Sequence, residues 1–253
     1  MSAQSAAKGR VRAFIFDLDG TLVDTERLKA LSYAKVIGGL TGANIPDHRA
    51  IELYERIVGS TDEMVCRQMI DEFDLVESLE PPGPDGELWK GLHQLRMDEY
   101  RENHGAPEQL LANVYQHNVD LLRHQKSIGR TIAVATSSFT DEARRVLDVL
   151  GLRVLLDDIV GRDLITKPKP DPEIYLQAMS RLGVAPGEVV IIEDSPIGTK
   201  AAIASGAAWI CVSTVFSRQA IEAASWIDRQ WIVHDPAKLS ETVNRRIELI
   251  ERG

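Results

Sequence analysis

Short apolar runs rich in β-branched residues alternate along this chain with helical patterns, an order that builds a parallel sheet covered on both faces. Six runs qualify as strands: Val11 to Phe16, Thr131 to Thr136, Asp158 to Val160, Val189 to Glu193, Trp209 to Val212 and Trp231 to Val233. Buried parallel strands need apolar side chains on both faces, which Val189 to Ile192 supplies without interruption. The helices between them carry start and stop signals. Asp171 caps one, with Pro172 at its first position and Gly183 beyond its end, and Ser195, Pro196 and Gly206 repeat the arrangement.

More than a hundred residues separate Phe16 from Thr131, far too many for one crossover, and they show helical periodicity with almost no strand pattern. A helical insertion of about four helices at the carboxyl end of the first strand is the economical reading. Asp24 or Thr25 can cap a helix carrying Leu28, Leu31 and Val36. Ser60 with Glu63 forms a capping box ahead of Met64, Val65 and Phe73. Pro81, Pro82, Gly83 and Pro84 enforce a break before a helix with Leu88, Leu92 and Leu95.

The 253 residues, 44% hydrophobic, suffice for one large core or two domains. The apolar runs are far shorter than a membrane span of roughly 20 residues. Met1 to Arg10 lacks the apolar stretch of a secretory signal and reads as a frayed tail, so a cytoplasmic location is expected. Cys66 and Cys211 share no metal-type spacing and are expected to be reduced packing residues. A net charge of −9 repels nucleic acid and anionic membrane, neither of which is an expected partner. An anionic substrate must be drawn in by a few lysines or a metal.

Chemistry-bearing residues gather at strand ends, where open parallel sheets bind ligands. Asp17, Asp19, Gly20 and Thr21 follow the first strand. Two acids one residue apart on an extended chain point in opposite directions and would ordinarily make a solvated turn. In this context Asp17 suits a carboxylate nucleophile that forms an acyl-phosphate, and Asp19 a general acid and base for the leaving oxygen and then water. Thr136, Ser137 and Ser138 end the second strand, where a hydroxyl and free amides can hold phosphate oxygens or simply cap the helix near Asp141. Lys169, in the stiff run Lys167-Pro168-Lys169-Pro170-Asp171-Pro172, can meet a phosphate as a point charge. Glu193 and Asp194 end the fourth strand; clustered with Asp17, such carboxylates call for a hard divalent cation, Mg²⁺.

In order and spacing these residues resemble the four motifs of the haloacid dehalogenase superfamily of phosphohydrolases. Asp17, Asp19 and Thr21 resemble the first, Thr136 the second, Lys169 the third, and Glu193 with Asp194 the fourth. The resemblance implies a Rossmann-like α/β core, residues 1–24 and 107–253, with an inserted all-helical cap, residues 25–106. It implies phosphate contacts from Thr136, Ser137 and Lys169, and Mg²⁺ held by Asp17, Asp19, Glu193 and Asp194. The insertion resembles the cap of the phosphoglycolate phosphatases, sugar-phosphate phosphatases and β-phosphoglucomutase, which closes over the core and selects the substrate.

The expected activity is therefore Mg²⁺-dependent hydrolysis of a small phosphorylated metabolite, such as a sugar phosphate. The dehalogenases lack the second acid and the metal, and the phosphonoacetaldehyde-hydrolysing members replace that acid, so Asp19 and Asp194 speak against both. β-Phosphoglucomutase-like action is the closer alternative, and a non-catalytic binding protein on the same scaffold a third. The mutase has a cap histidine where Lys29 falls and a cap arginine where Asp62 falls, and an acid there would repel a second phosphate. Lys29 and Thr61 are expected to influence substrate selectivity, with the loop Val58 to Asp62 facing the site on closure.

Overall fold

The computed structural model of the chain describes residues 10–43, 45–57, 60–80 and 86–252. Met1 to Gly9 of the expected tail Met1 to Arg10, the break Pro81 to Pro84, and Val58 and Gly59 of the insertion loop lie outside the described residues. Among those described, six strands form one parallel sheet in the order β3-β2-β1-β4-β5-β6. They are β1 (Ala13–Phe16), β2 (Thr131–Ala135), β3 (Asp158–Val160), β4 (Val189–Glu193), β5 (Ala208–Val212) and β6 (Ile232–Val233). Each expected strand is present, β3 and β4 with the expected bounds and the others shortened or extended by one or two residues; Trp231 ends a 3₁₀ turn, Arg229–Trp231, ahead of β6.

β1 is central. Phe16 pairs with Val134 of β2 on one side and Ile192 of β4 on the other, so three strand ends finish at the same level. The chain order reverses about β1, which opens a crevice at the carboxyl edge. Side-chain alternation along β1 feeds two cores. Phe14 and Phe16 pack with Leu121 and Leu122 of α6 (Gln116–Ser127), Leu147 of α7 (Thr140–Val149) and Val243 and Ile247 of α11 (Leu239–Arg252). Ala13 and Ile15 face Ile174 and Tyr175 of α8 (Glu173–Leu182), Ala201 of α9 (Pro196–Ala204) and Ile221 of α10 (Arg218–Ala223).

Between β1 and β2 the described residues are helical: α1 (Thr25–Leu40), α2 (His48–Ile57), α3 (Asp62–Glu72), α4 (Leu88–Glu99), a π-turn at Tyr100–His104, α5 (Pro107–Ala112) and then α6. α1 to α4 share their own apolar cluster of Tyr33, Ile37, Leu53, Met69 and Leu92. Phe216, from the loop after β5, joins it. The insertion leaves and rejoins the sheet at one place, where Val23 and Val114 form an antiparallel bridge, Asp24 N–H donates to the Asn113 carbonyl at 2.8 Å and Tyr115 N–H to that of Leu22 at 3.0 Å.

Capping signals place the helix starts to within a residue. Asp24 accepts from the Arg27 amide, and Ser195 from that of Gly198. Asp171 accepts from the Glu173 amide at 3.0 Å, so α8 begins after Pro172 and not on it. The capping box expected at Ser60 is shifted. α3 begins at Asp62, its cap is Thr61, whose hydroxyl accepts from Met64 N–H at 3.3 Å, and Glu63 reaches Arg67. α7 takes its cap from afar: Asp163 Oδ1 accepts from Thr140 N–H at 2.7 Å.

Gly38 of α1 lies against the backbone carbonyl of Ile45, where a Cβ would collide. Backbone yields less readily than a side-chain tip, so Gly38→Ala should destabilise the insertion by about 1–3 kcal/mol, the usual cost of overpacking. A thermal melt followed by circular dichroism checks this through a lowered midpoint.

Candidate active site

Asp17 leaves the sheet at the end of β1, its N–H donating to the Ile192 carbonyl at 2.9 Å. The chain then turns tightly, with the Leu18 carbonyl accepting from Thr21 and Leu22 at 3.2 and 2.9 Å. Gly20 allows the turn, at φ +82°, and also the approach of Asp194, whose carboxylate occupies the place of a Cβ. Because the backbone bends between them, Asp17 and Asp19 border one cavity, although acids so spaced diverge on a straight strand.

Lys169 reaches this point from the proline-rich loop before α8. Its Nζ donates to Asp17 Oδ1 at 2.7 Å and to Glu193 Oε1 at 2.5 Å. Tyr175 of α8 donates to the same Glu193 oxygen at 2.6 Å. The other oxygen, Oε2, accepts from the amides of Asp194 and Ser195 at 3.0 and 3.2 Å. A side chain at Gly198 would strike that carboxylate. All of these charged groups are buried. Burial alone would discharge Lys169, but Asp17 and Glu193 raise its affinity for the proton well above the ordinary value. Glu193 is held below the usual range in spite of burial, chiefly by Lys169.

Asp194 has no comparable support. The one described hydrogen bond to its carboxylate is from Thr21 Oγ1 at 3.4 Å, and burial followed by repulsion from Glu193 and Asp17 pushes its carboxyl far up. Asp17 is shifted the same way by burial, with Lys169 opposing and Glu193 and Asp19 adding to the rise. Asp17, Glu193 and Asp194 place one oxygen each within 4.8 Å of one another. Such a trio of hard oxygens suits a divalent cation. Glu193 has both oxygens engaged by the protein, so Asp194 and the second oxygen of Asp17 are the open ones.

Asp19 stands outside that trio. Its oxygens accept from Thr25 Oγ1 at 2.5 Å, Ser138 Oγ at 2.6 Å and Thr136 Oγ1 at 3.2 Å, and Lys29 Nζ is 3.1 Å away. Burial raises its carboxyl, but Lys29, Ser138 and Thr25 together outweigh it and bring the pKa down to about 2. Lys29, expected to face the substrate, pairs with Asp19 and with Glu26 at 3.4 Å, and Glu26 accepts from Tyr54. Thr136 Oγ1 also accepts from Ser138 N–H at 3.1 Å.

The cavity enclosed between the sheet edge and the insertion is about 580 Å³, bordered by Asp17, Asp19, Ser137 and Lys169 below and by Lys29 and Thr61 above. The sequence reading offered Ser138 only alongside Thr136 and Ser137 at the end of a strand, and did not single out Tyr175 or Arg96. Ser138 and Tyr175 follow the recognised motifs closely, but their contacts depend on how two loops meet. Arg96 resembled a surface arginine of an amphipathic helix, yet it is only 3% exposed and donates to Asp62 at 3.2 Å.

A family model described as haloacid dehalogenase-like hydrolase matches residues 11–206. A phosphorylated carbohydrates phosphatase of Thermotoga maritima is 32% identical over 200 residues, 78% of this chain and 82% of that one. A phosphoglycolate phosphatase of Thiobacillus denitrificans is 28% identical, over 82% of this chain and 86% of its own. Among solved structures, β-phosphoglucomutase from Clostridium difficile superposes with a TM-score of 0.72 at 20% identity, covering 94% of this chain and 98% of that chain, which shows the common fold. With its motifs gathered on one sheet edge and its sequence matched across most of its length, this chain belongs to the haloacid dehalogenase-like hydrolases.

Proposed function

We propose that this hydrolase of phosphate esters cleaves small phosphorylated metabolites through an aspartyl-phosphate on Asp17, with Mg²⁺ as cofactor and residues 25–106 as a substrate-selecting cap. The observation that carries the reading is the buried pair Asp17–Lys169 beside an undersupported Asp194. Lys169 orients the Asp17 carboxylate through Oδ1, so that one of its oxygens can attack phosphorus in line while the other meets the cation. The same ammonium offsets charge on the transferring phosphoryl group, and Thr136 and Ser137 complete its cradle.

Asp17 and Asp194 would hold the cation, with Glu193 fixing the loop that carries Asp194. When bound, Mg²⁺ neutralises the clustered carboxylates and polarises the phosphoryl oxygens. Asp19 is ionised where it stands, ready to take a proton from the water that attacks the acyl-phosphate. Delivering a proton to the leaving oxygen demands that Asp19 first give up Lys29 and Thr25, which weakens the forces that hold it ionised.

The relatives' substrates, phosphorylated carbohydrates and phosphoglycolate, set the range to be assayed. A cytoplasmic location fits the two free, buried cysteines. Among the described residues no helix is long and apolar enough to cross a membrane.

Steady phosphate release from a panel of phosphorylated metabolites, without stimulation by a bisphosphate, is the expected outcome and separates hydrolysis from mutase action. Asp17→Asn should lower the release by more than about a thousandfold, as loss of a covalent nucleophile does. Isomerisation without net release would replace the hydrolase reading with the mutase one. Independently of turnover, Mg²⁺ should raise the melting midpoint by roughly 5–10 °C at about a hundred times its Kd. Differential scanning calorimetry of Asp194→Asn should show that rise largely gone.

A further inference from the structure

The wall of the cavity opposite Asp17 contains a buried cation that the proposed chemistry leaves idle. Arg96 of α4 lies with its guanidinium carbon 5.4 Å from the centre of the Tyr33 ring, and Nη2 donates to Asp62 Oδ1 at 3.2 Å. Among the described residues its buried Nε has no hydrogen-bond partner, and neither has Nδ1 of His93 one turn earlier on the same helix. Arg96, His93 and Asp62 all border the cavity. Buried polar nitrogens are almost always partnered, and two unpartnered ones beside one cavity point to a polar occupant that rearranges this wall as it binds.

Charge decides what kind of occupant. A second phosphate or a carboxylate on the leaving group would gain from Arg96 but would meet Asp62, which already matches that charge. A hydroxyl group has no such conflict, because it donates to a carboxylate and accepts from a guanidinium at the same time. Burial favours the neutral form of His93, whose ring then offers one donor and one acceptor.

We infer that Arg96, Asp62 and His93 form a leaving-group subsite for an uncharged polyhydroxylated moiety, which selects sugar or polyol monophosphates over bisphosphates and phosphocarboxylates. The inference rests on the hydrolase reading above and deepens it. Arg96 and Asp62 act as specificity residues, remote from the phosphorus.

The test compares kcat/KM for a hexose monophosphate, the matching hexose bisphosphate, phosphoglycolate and p-nitrophenyl phosphate, whose leaving group carries no further hydroxyl. The native chain should favour the hexose monophosphate over the bisphosphate and phosphoglycolate by about tenfold or more, the scale of one hydrogen bond to a charged group. Arg96→Gln should lower the hexose monophosphate to p-nitrophenyl phosphate ratio by about tenfold, and Asp62→Asn should raise the bisphosphate to monophosphate ratio by a similar factor. Thermal melts confirm that each variant is folded; should Arg96→Gln not fold, Asp62→Asn at the half-exposed partner carries the test. A native preference for bisphosphate or phosphoglycolate, or an unmoved ratio in folded Asp62→Asn, overturns the subsite.

Absence of p-nitrophenyl phosphate turnover in the folded native chain with Mg²⁺ would instead count against the hydrolase reading. Titration calorimetry with the hexose monophosphate and bisphosphate then decides on the subsite separately. Selective monophosphate binding that weakens in Asp62→Asn supports it, and equal binding of the two compounds overturns it.

Discussion

The ammonium of Lys169, between Asp17 and Glu193, makes the rest of the site possible. Three carboxylates at the ends of β1 and β4 could not share one buried corner without a positive charge, because each lifts the others' proton affinity. Lys169 compensates two of them and reaches the Ala135 carbonyl at 3.4 Å, so one side chain links the ends of three adjacent strands. Tyr175 and the amides after β4 then fix Glu193 from its other sides. Removing one partner from such a network would strand the remaining charges in the interior, which is far costlier than never having placed them there.

Much of this was legible in the sequence because strand order, strand ends and helix caps are local signals. Apolar runs located all six strands, and the acids and lysine at their ends fell together once the sheet formed. What was not legible depends on contacts between distant segments. The start of α3 moved by a residue because Thr61, not Ser60, turns its hydroxyl to the helix. The partners of the Asp19 carboxylate, Thr25, Lys29 and Ser138, come from three separate segments, so its surroundings could not be read from its place in the motif. Arg96 was hidden by composition: arginine on a helix usually means solvent, and here Tyr33 of α1 and Asp62 of α3 lie against it in the folded insertion.

Lys29 gives the insertion an electrostatic hold on the chemistry below it. It belongs to α1, yet its charge, with the hydroxyls of Ser138 and Thr25, keeps Asp19 on the loop after β1 ionised in spite of burial. Any displacement of α1 relative to the sheet therefore changes the acid strength of the Asp19 carboxyl. Glu26 and Tyr54 restrain Lys29 from behind, so the hold has a definite position.

The paired entry and exit of the insertion, with Val23 bridged to Val114, has an evolutionary reading. Both ends of roughly ninety residues are pinned side by side by the sheet, so the entropy of closing that loop grows only slowly with its length. Lengthening, trimming or exchanging the helices between those points would leave the strand register and the Lys169 cluster untouched. A chain built this way can vary the surface that overhangs the sheet edge, apart from the Lys29 contact with Asp19, without disturbing the fold beneath it.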